Sequence, residues 1–312
     1  MCLAAIFLLD RGPFQCISAL PSTSDRLPAE SFRQEGSGSY GPPKRIGTLK
    51  DPAINESSGL VASRTSRGLY WTHNDSGDGP FIYAFDGRGE RRGVWRLSGA
   101  PARDWEDIAA GPGPERNRNY LYIGDIGDNN ERRADIVVYR VLEPNITAAD
   151  ARSTKSRPRQ TAASEAIRLR YPDGKHDAEA LMVNPTGDVY IVTKKMFGRP
   201  GVYVARAPLN TTRVTVLTKL GELSIPSIFG GMITGGDISP DGRRVALCDY
   251  NQGYDLVLPG GDSFDTIWKQ PLQRFAVGSR KQGEAIAYRL DGRALLTTSE
   301  GRGSPLNQVV RR

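Results

Sequence analysis

The chain is short of the residues that most often build staples and soft metal sites. Cysteine occurs three times in 312 residues, and two of these, Cys2 and Cys16, fall in the first stretch. Only Cys248 remains in the body, so neither a disulfide framework nor a thiolate metal site can form there. Histidine occurs twice, as His73 and His176. No apolar run reaches the length of a membrane helix, which excludes an integral membrane span of that kind. No long stretch carries helical periodicity. A basic helix and an aromatic RNA-binding signature are also missing. The formal charge of +7 therefore reads as an arginine-rich solvated surface, with no nucleic acid as partner.

Glycine (35) and proline (21) are plentiful, as expected for many short strands joined by tight turns. Residues 1–22 open with an apolar segment and read as an export signal or leader, although the basic residues that usually precede such a segment are absent. A secreted or periplasmic location follows from that reading. Residues 23–43, rich in Ser, Gly and Pro, read as a linker, and 44–312 as one folded domain.

Five segments repeat a pattern: Glu56-Ser-Ser-Gly-Leu60, Asp104-Trp-Glu-Asp-Ile108, Asp177-Ala-Glu-Ala-Leu181, Gly236-Asp-Ile-Ser239 and Gln282-Gly-Glu-Ala-Ile286. Aligned on Glu56, Glu106, Glu179, Asp237 and Glu284, they stand 50, 73, 58 and 47 residues apart. Each acid leads a short apolar strand, a turn such as Ser239-Pro-Asp-Gly242, and a second strand. Third strands follow at Phe81–Phe85, Ile136–Arg140 and Gly201–Ala205. Fourth strands are expected at Val94–Leu97, Ala166–Arg170 and Val214–Leu217. Four antiparallel strands at this period predict an all-β fold, a β-propeller of five blades. The last blade lacks a fourth strand of its own, and Lys44–Leu49 is free to supply it. A sixth blade within 147–176 or 210–235 is the alternative.

In such a fold the first strand of each blade lines the channel, and the second runs back beside it. The leading acids should then share one mouth with the residues that end the second strands: Asn74-Asp75, Asp125, Lys194-Lys195, Asp249 and Glu300. Asp104, Asp107 and Asp177 lie beside them. Strand alternation turns Trp105 toward the packing between blades. Carboxylates this crowded need a cation, internal salt bridges or shared protons. Lys194 and Lys195 are the internal candidates. An all-oxygen ligand set of irregular geometry favours Ca²⁺, with Glu56, Asp75, Glu106, Asp125, Glu179, Asp237 and Glu284 as the metal set. The loops Asn74–Asp78 and Gly124–Asn129 add oxygen atoms, but Asp, Asn and Gly are also ordinary turn formers. His73 and His176 each adjoin the mouth, as proton carriers or as structural residues bonded to a blade carboxylate.

The acid-led strands resemble the calcium-dependent propeller hydrolases: β-propeller phytases with their esterase-like relatives, and the gluconolactonase and paraoxonase group. Asp104-Trp-Glu-Asp-Ile108 together with Gly124-Asp-Ile-Gly-Asp-Asn129 is similar to a group of bacterial exported propeller proteins of unassigned function. The resemblance covers roughly residues 45 to 310. It implies an ion held by the leading acids, with Asp75 and Asp125 assisting. It also implies a carboxylate or histidine that handles the proton, and Lys194 steadying an anionic substrate. The chain departs from those hydrolases in having five countable blades rather than six, and no arginine cluster at its motifs. Two functions follow as expectations: hydrolysis of an ester, lactone or phosphoester, or binding of a small-molecule or extracellular ligand around structural calcium. A glycan-active propeller with two catalytic carboxylates is a third. The chain is expected to be a monomer.

Overall fold

The computed structural model describes residues 40–225 and 231–312; the expected leader lies outside the described residues. The strands form five sheets. Blade 1 holds Ser57–Ala62, Leu69–Asn74, Phe81–Asp86 and Arg91–Ser98. Blade 2 holds Trp105–Pro112, Asn119–Asp125, Ile136–Leu142 and Glu165–Arg170. Blade 3 holds Ala178–Val183, Val189–Thr193, Gly201–Ala205 and Thr218–Glu222. Gly235–Ile238, Arg244–Cys248, Gln252–Val257 and Gln273–Ala276 make blade 4. Blade 5 takes Gly283–Tyr288, Ala294–Ser299 and Pro305–Val310, and its fourth strand is Lys44–Thr48. That strand pairs antiparallel with Pro305–Val310, so the ring closes as the sequence suggested. The first strands contact one another in cyclic order, blade 5 against blade 1. The chain is a five-bladed β-propeller.

The two regions that could have hidden a sixth blade extend other blades instead. Arg159–Ala163 adds a parallel fifth strand to the edge of blade 1. Thr215–Val216 adds one to blade 2, which corrects the expected fourth strand at Val214–Leu217. The strand that completes blade 3 starts at Thr218. Tyr40, within the segment expected as a linker, packs against the propeller. Its ring is buried, stacked on Phe275 at 4.4 Å, and its hydroxyl donates to Asp255 at 3.2 Å.

Blades pack face to face, so strands that are solvated on one side in an ordinary sheet are buried on both sides here. Val189–Thr193 is buried at every residue, which explains its unbroken apolar run. A cluster of buried apolar side chains fills each of the five blade interfaces. Trp105 lies in the one between blades 1 and 2. Several buried aromatic rings keep their polar tips bonded to carboxylates. Trp71 Nε1 donates to Glu143, Tyr203 to Asp173, Tyr190 to Asp265, and Tyr254 to Asp249. Many acids outside the mouth are consumed this way.

Candidate functional site

The acids of the mouth are aimed by β-bulges. The last residues of the second strands fix the register: Asn74 pairs with Ser57, Asp125 with Trp105, Thr193 with Ala178, and Ser299 with Gly283. In each of these four blades the ladder is irregular immediately after that pair. Glu106, Glu179 and Glu284 are the residues at the irregularity, and Ser58 holds that place in blade 1. A bulge re-aims one side chain without moving the rest of the strand to the wrong face. The three glutamates reach the mouth this way while their neighbours stay in the core.

Blade 4 has no bulge, because Gly235 pairs with Cys248 and Gly236 with Leu247 in unbroken register. Asp237 therefore sits deeper and does not join the glutamates. Its carboxylate accepts Ile238 N and Tyr288 N, both at 2.8 Å. Burial pushes its carboxyl up to about 7, with the Tyr288 amide opposing. Asp107 is a similar clamp between blades, accepting Ile108 N at 2.8 Å, Leu181 N at 3.0 Å and Gly236 N at 3.3 Å. Glu56 lies one step outside the bulge layer, bridged to Glu300 and half-buried. The five leading acids thus do not share one level: Glu56 stands two residues before the bulge position of blade 1, and Asp237 one residue after the corresponding position of blade 4.

Asp75, Asp104 and Glu106 do come together: one oxygen of each lies within 4.8 Å of the others. They come from the end of a blade 1 strand, the approach to blade 2 and the blade 2 bulge. Glu106 is held well above the usual carboxylate range by burial, then by the charges of Glu179 and Asp75. Asp104 is raised by burial and by Asp75. Gly127 backs this group. A Cβ there would press on Glu106 Oε1 and stand 2.6 Å from Asp104 Oδ2.

The surrounding acids are each answered differently. Asp125 is paired with Arg133, whose Nη1 lies 2.7 Å from Asp125 Oδ1 and also donates to Gly127 O at 2.9 Å. Both side chains are buried, and the other oxygen of Asp125 accepts Arg103 N at 3.1 Å. Glu179 is bonded through Oε1 to Lys194, while Oε2 is buried with no partner. Burial raises Glu179 and the ammonium opposes it. Lys194 also lies 5.4 Å above the ring of Tyr250. Although burial works against its charge, Glu179 lifts its pKa above the ordinary value. Lys195 turns away to Glu131 at 2.5 Å. Burial holds the Glu284 carboxyl at about 7, with Gln282 donating to it at 3.1 Å. Asp249 folds back on its own turn, accepting Asn251 N and Gln252 N at 2.7 Å.

The two acidic loops are turns first. In Asn74–Asp78, Asn74 Oδ1 accepts the amides of Asn55 and Glu56, and Asp78 bonds Tyr83 and Lys155. In the other loop, Asp128 accepts the amides of Arg132 and Arg133. Neither histidine bonds the Asp75, Asp104 and Glu106 group. His73 is fully buried, its Nδ1 2.8 Å from Asn74 O and its ring edge-on to Trp105. Burial lowers its pKa. His176 bonds Asp173 at 3.0 Å and packs on Tyr171 and Tyr203. Arg133 and Tyr250 were not singled out from sequence. Their roles depend on contacts between residues that carry no motif.

No family model matches the chain, and no curated protein matches it. Among solved structures it is similar to the PQQ-bound aldose sugar dehydrogenase of Streptomyces coelicolor. That match has 11% identity and a TM-score of 0.47, over 88% of this chain and 99% of that one. It is also similar to the nidogen/laminin complex, with 13% identity and a TM-score of 0.41, over 78% of this chain and 72% of that one. No helix among the described residues is long and apolar enough to cross a membrane.

Proposed function

We propose that the mouth of the propeller binds Ca²⁺ through Asp75, Asp104 and Glu106 and uses it to hydrolyse an ester, lactone or phosphoester. One observation carries the reading. Three carboxylates from separate elements converge within 4.8 Å, whereas Asp125 and Glu179 each have a basic partner. The donors are all hard oxygens, and they come from a loop, a strand approach and a bulge rather than a regular frame. That combination suits Ca²⁺ better than Zn²⁺ or Mg²⁺. An ion there would polarise a carbonyl or phosphoryl oxygen. Glu284, whose carboxyl sits near neutrality, is suited to give and take the proton in place of the two histidines. Lys194, held over the Tyr250 ring, supplies a positive charge for an anionic group. An exported location, where calcium is plentiful, fits this use.

The test is calorimetric titration of the chelated protein with Ca²⁺, alone and as Glu106→Gln, followed by a panel of esters, lactones and phosphoesters. One ion bound, lost in the variant, with calcium-dependent turnover, is the expected result. Failure of the wild-type protein to bind calcium would remove the reading. Binding without turnover of any of the three bond types would leave a calcium site and remove the hydrolase.

A further inference from the structure

The register shows what Lys194 replaces. The residue following the last paired position of the second strand is Asp75 in blade 1, Glu300 in blade 5 and Lys194 in blade 3. A lysine thus stands where blades 1 and 5, and blade 4 with Asp249, place a carboxylate. It is anchored there, its side chain 14% exposed, with the ammonium on Glu179 Oε1 and above the Tyr250 ring. Its charge acts on Asp177, Glu284 and Glu300 as well as on Glu179. Glu179, only 6% exposed, keeps Oε2 buried with no partner. A buried carboxylate with one oxygen on an ammonium and the other unused is a half-filled ligand.

We propose that the Lys194 ammonium occupies a second cation position, at the buried carboxylate of Glu179, and that a neutral side chain at 194 converts the centre from one divalent ion to two. This rests on the reading that Asp75, Asp104 and Glu106 hold the first ion. The ammonium is a fixed single charge that a chelator does not remove. The centre then works as one exchangeable ion beside one permanent cation. Without it, Glu179, with Oε2 already unpartnered, would present hard oxygen donors to Ca²⁺ in the same space.

The experiment is Ca²⁺ stoichiometry for the wild-type protein, Lys194→Met, Lys194→Arg and the double variant Lys194→Met/Glu179→Gln. Calcium per chain is read by elemental analysis after dialysis against free Ca²⁺, so a variant that folds only with calcium is still measured. Expected values are one ion for wild type and Lys194→Arg, two for Lys194→Met, and one again for the double variant. A wild-type protein that binds one ion, with a folded Lys194→Met that also binds one or fewer, overturns this inference and leaves the first reading standing. Two ions on the wild-type protein overturn it as well. No ion on the wild type removes both.

Discussion

Replacing Glu284 with glutamine is expected to stabilise the calcium-free protein in alkaline solution and to change little in acid. Burial holds this carboxyl at about 7 against an ordinary 4.5. The folded chain therefore prefers Glu284 protonated. The stability this contributes is complete below the ordinary value and lost as pH rises through about 7. At about 1.4 kcal/mol per pH unit, ionising it in the folded state costs up to about 3 kcal/mol. Neighbouring carboxylates titrate with it and share that cost, so one substitution should recover about 1–3 kcal/mol. Glutamine keeps the shape and can still meet Gln282, but it cannot ionise. Urea unfolding in chelator, at about pH 5 and about pH 9, reads the difference directly. A variant no more stable than wild type at the higher pH would refute the placement of Glu284 among poorly compensated acids. Added Ca²⁺ should narrow the gap, because a divalent cation at the mouth favours the ionised carboxylate and so stabilises the wild-type protein more than the variant.

Gly127→Ala should weaken Ca²⁺ at least tenfold in calorimetry while the circular dichroism stays unchanged, since the added methyl presses on Glu106 and Asp104. Arg133→Met should cost about 3–5 kcal/mol in urea unfolding, because it strands the buried Asp125 carboxylate. Glu143→Ala should cost about 3 kcal/mol in the same assay with Ca²⁺ stoichiometry unchanged. It unpairs donors from Ser63, Thr65 and Trp71 in a region of blades 1 and 2 apart from the acid cluster.

The fold could be read from the sequence because each blade repeats a local statement: an acid, an apolar strand, a Gly-containing turn and a second strand. Ring closure by Lys44–Thr48 could be read too, since the last blade is visibly one strand short. The depth of each acid could not. A bulge adds one residue to a strand without a residue type that announces it, and one residue decides whether an acid meets the mouth or the backbone of the next blade. The deeper Asp237 comes from that step, and in blade 1 the bulge position falls on Ser58, two residues past Glu56. The partners of the acids were hidden for another reason. Arg133 lies in a polar approach to a third strand, indistinguishable by composition from solvated arginines elsewhere, and only packing makes it the counter-ion of Asp125. His73 shows the converse. Its place beside Asn74 is at the expected end of the strand, but its ring turns into the blade interface.

The seam of the ring also sets the order in which the protein can be finished. Lys44–Thr48 has no partner until Pro305–Val310 exists, with 256 residues between Thr48 and Pro305. Blades 1 to 4 can assemble from contacts close in sequence, but the last sheet joins the two most distant parts of the domain. During synthesis the ring must wait, open between blades 4 and 1, with the two apolar faces that blade 5 will cover still bare. A ribosome stalled before residue 305 would hold an unclosed chain that proteases and chaperones can recognise, and release of the final strand is the event that locks it.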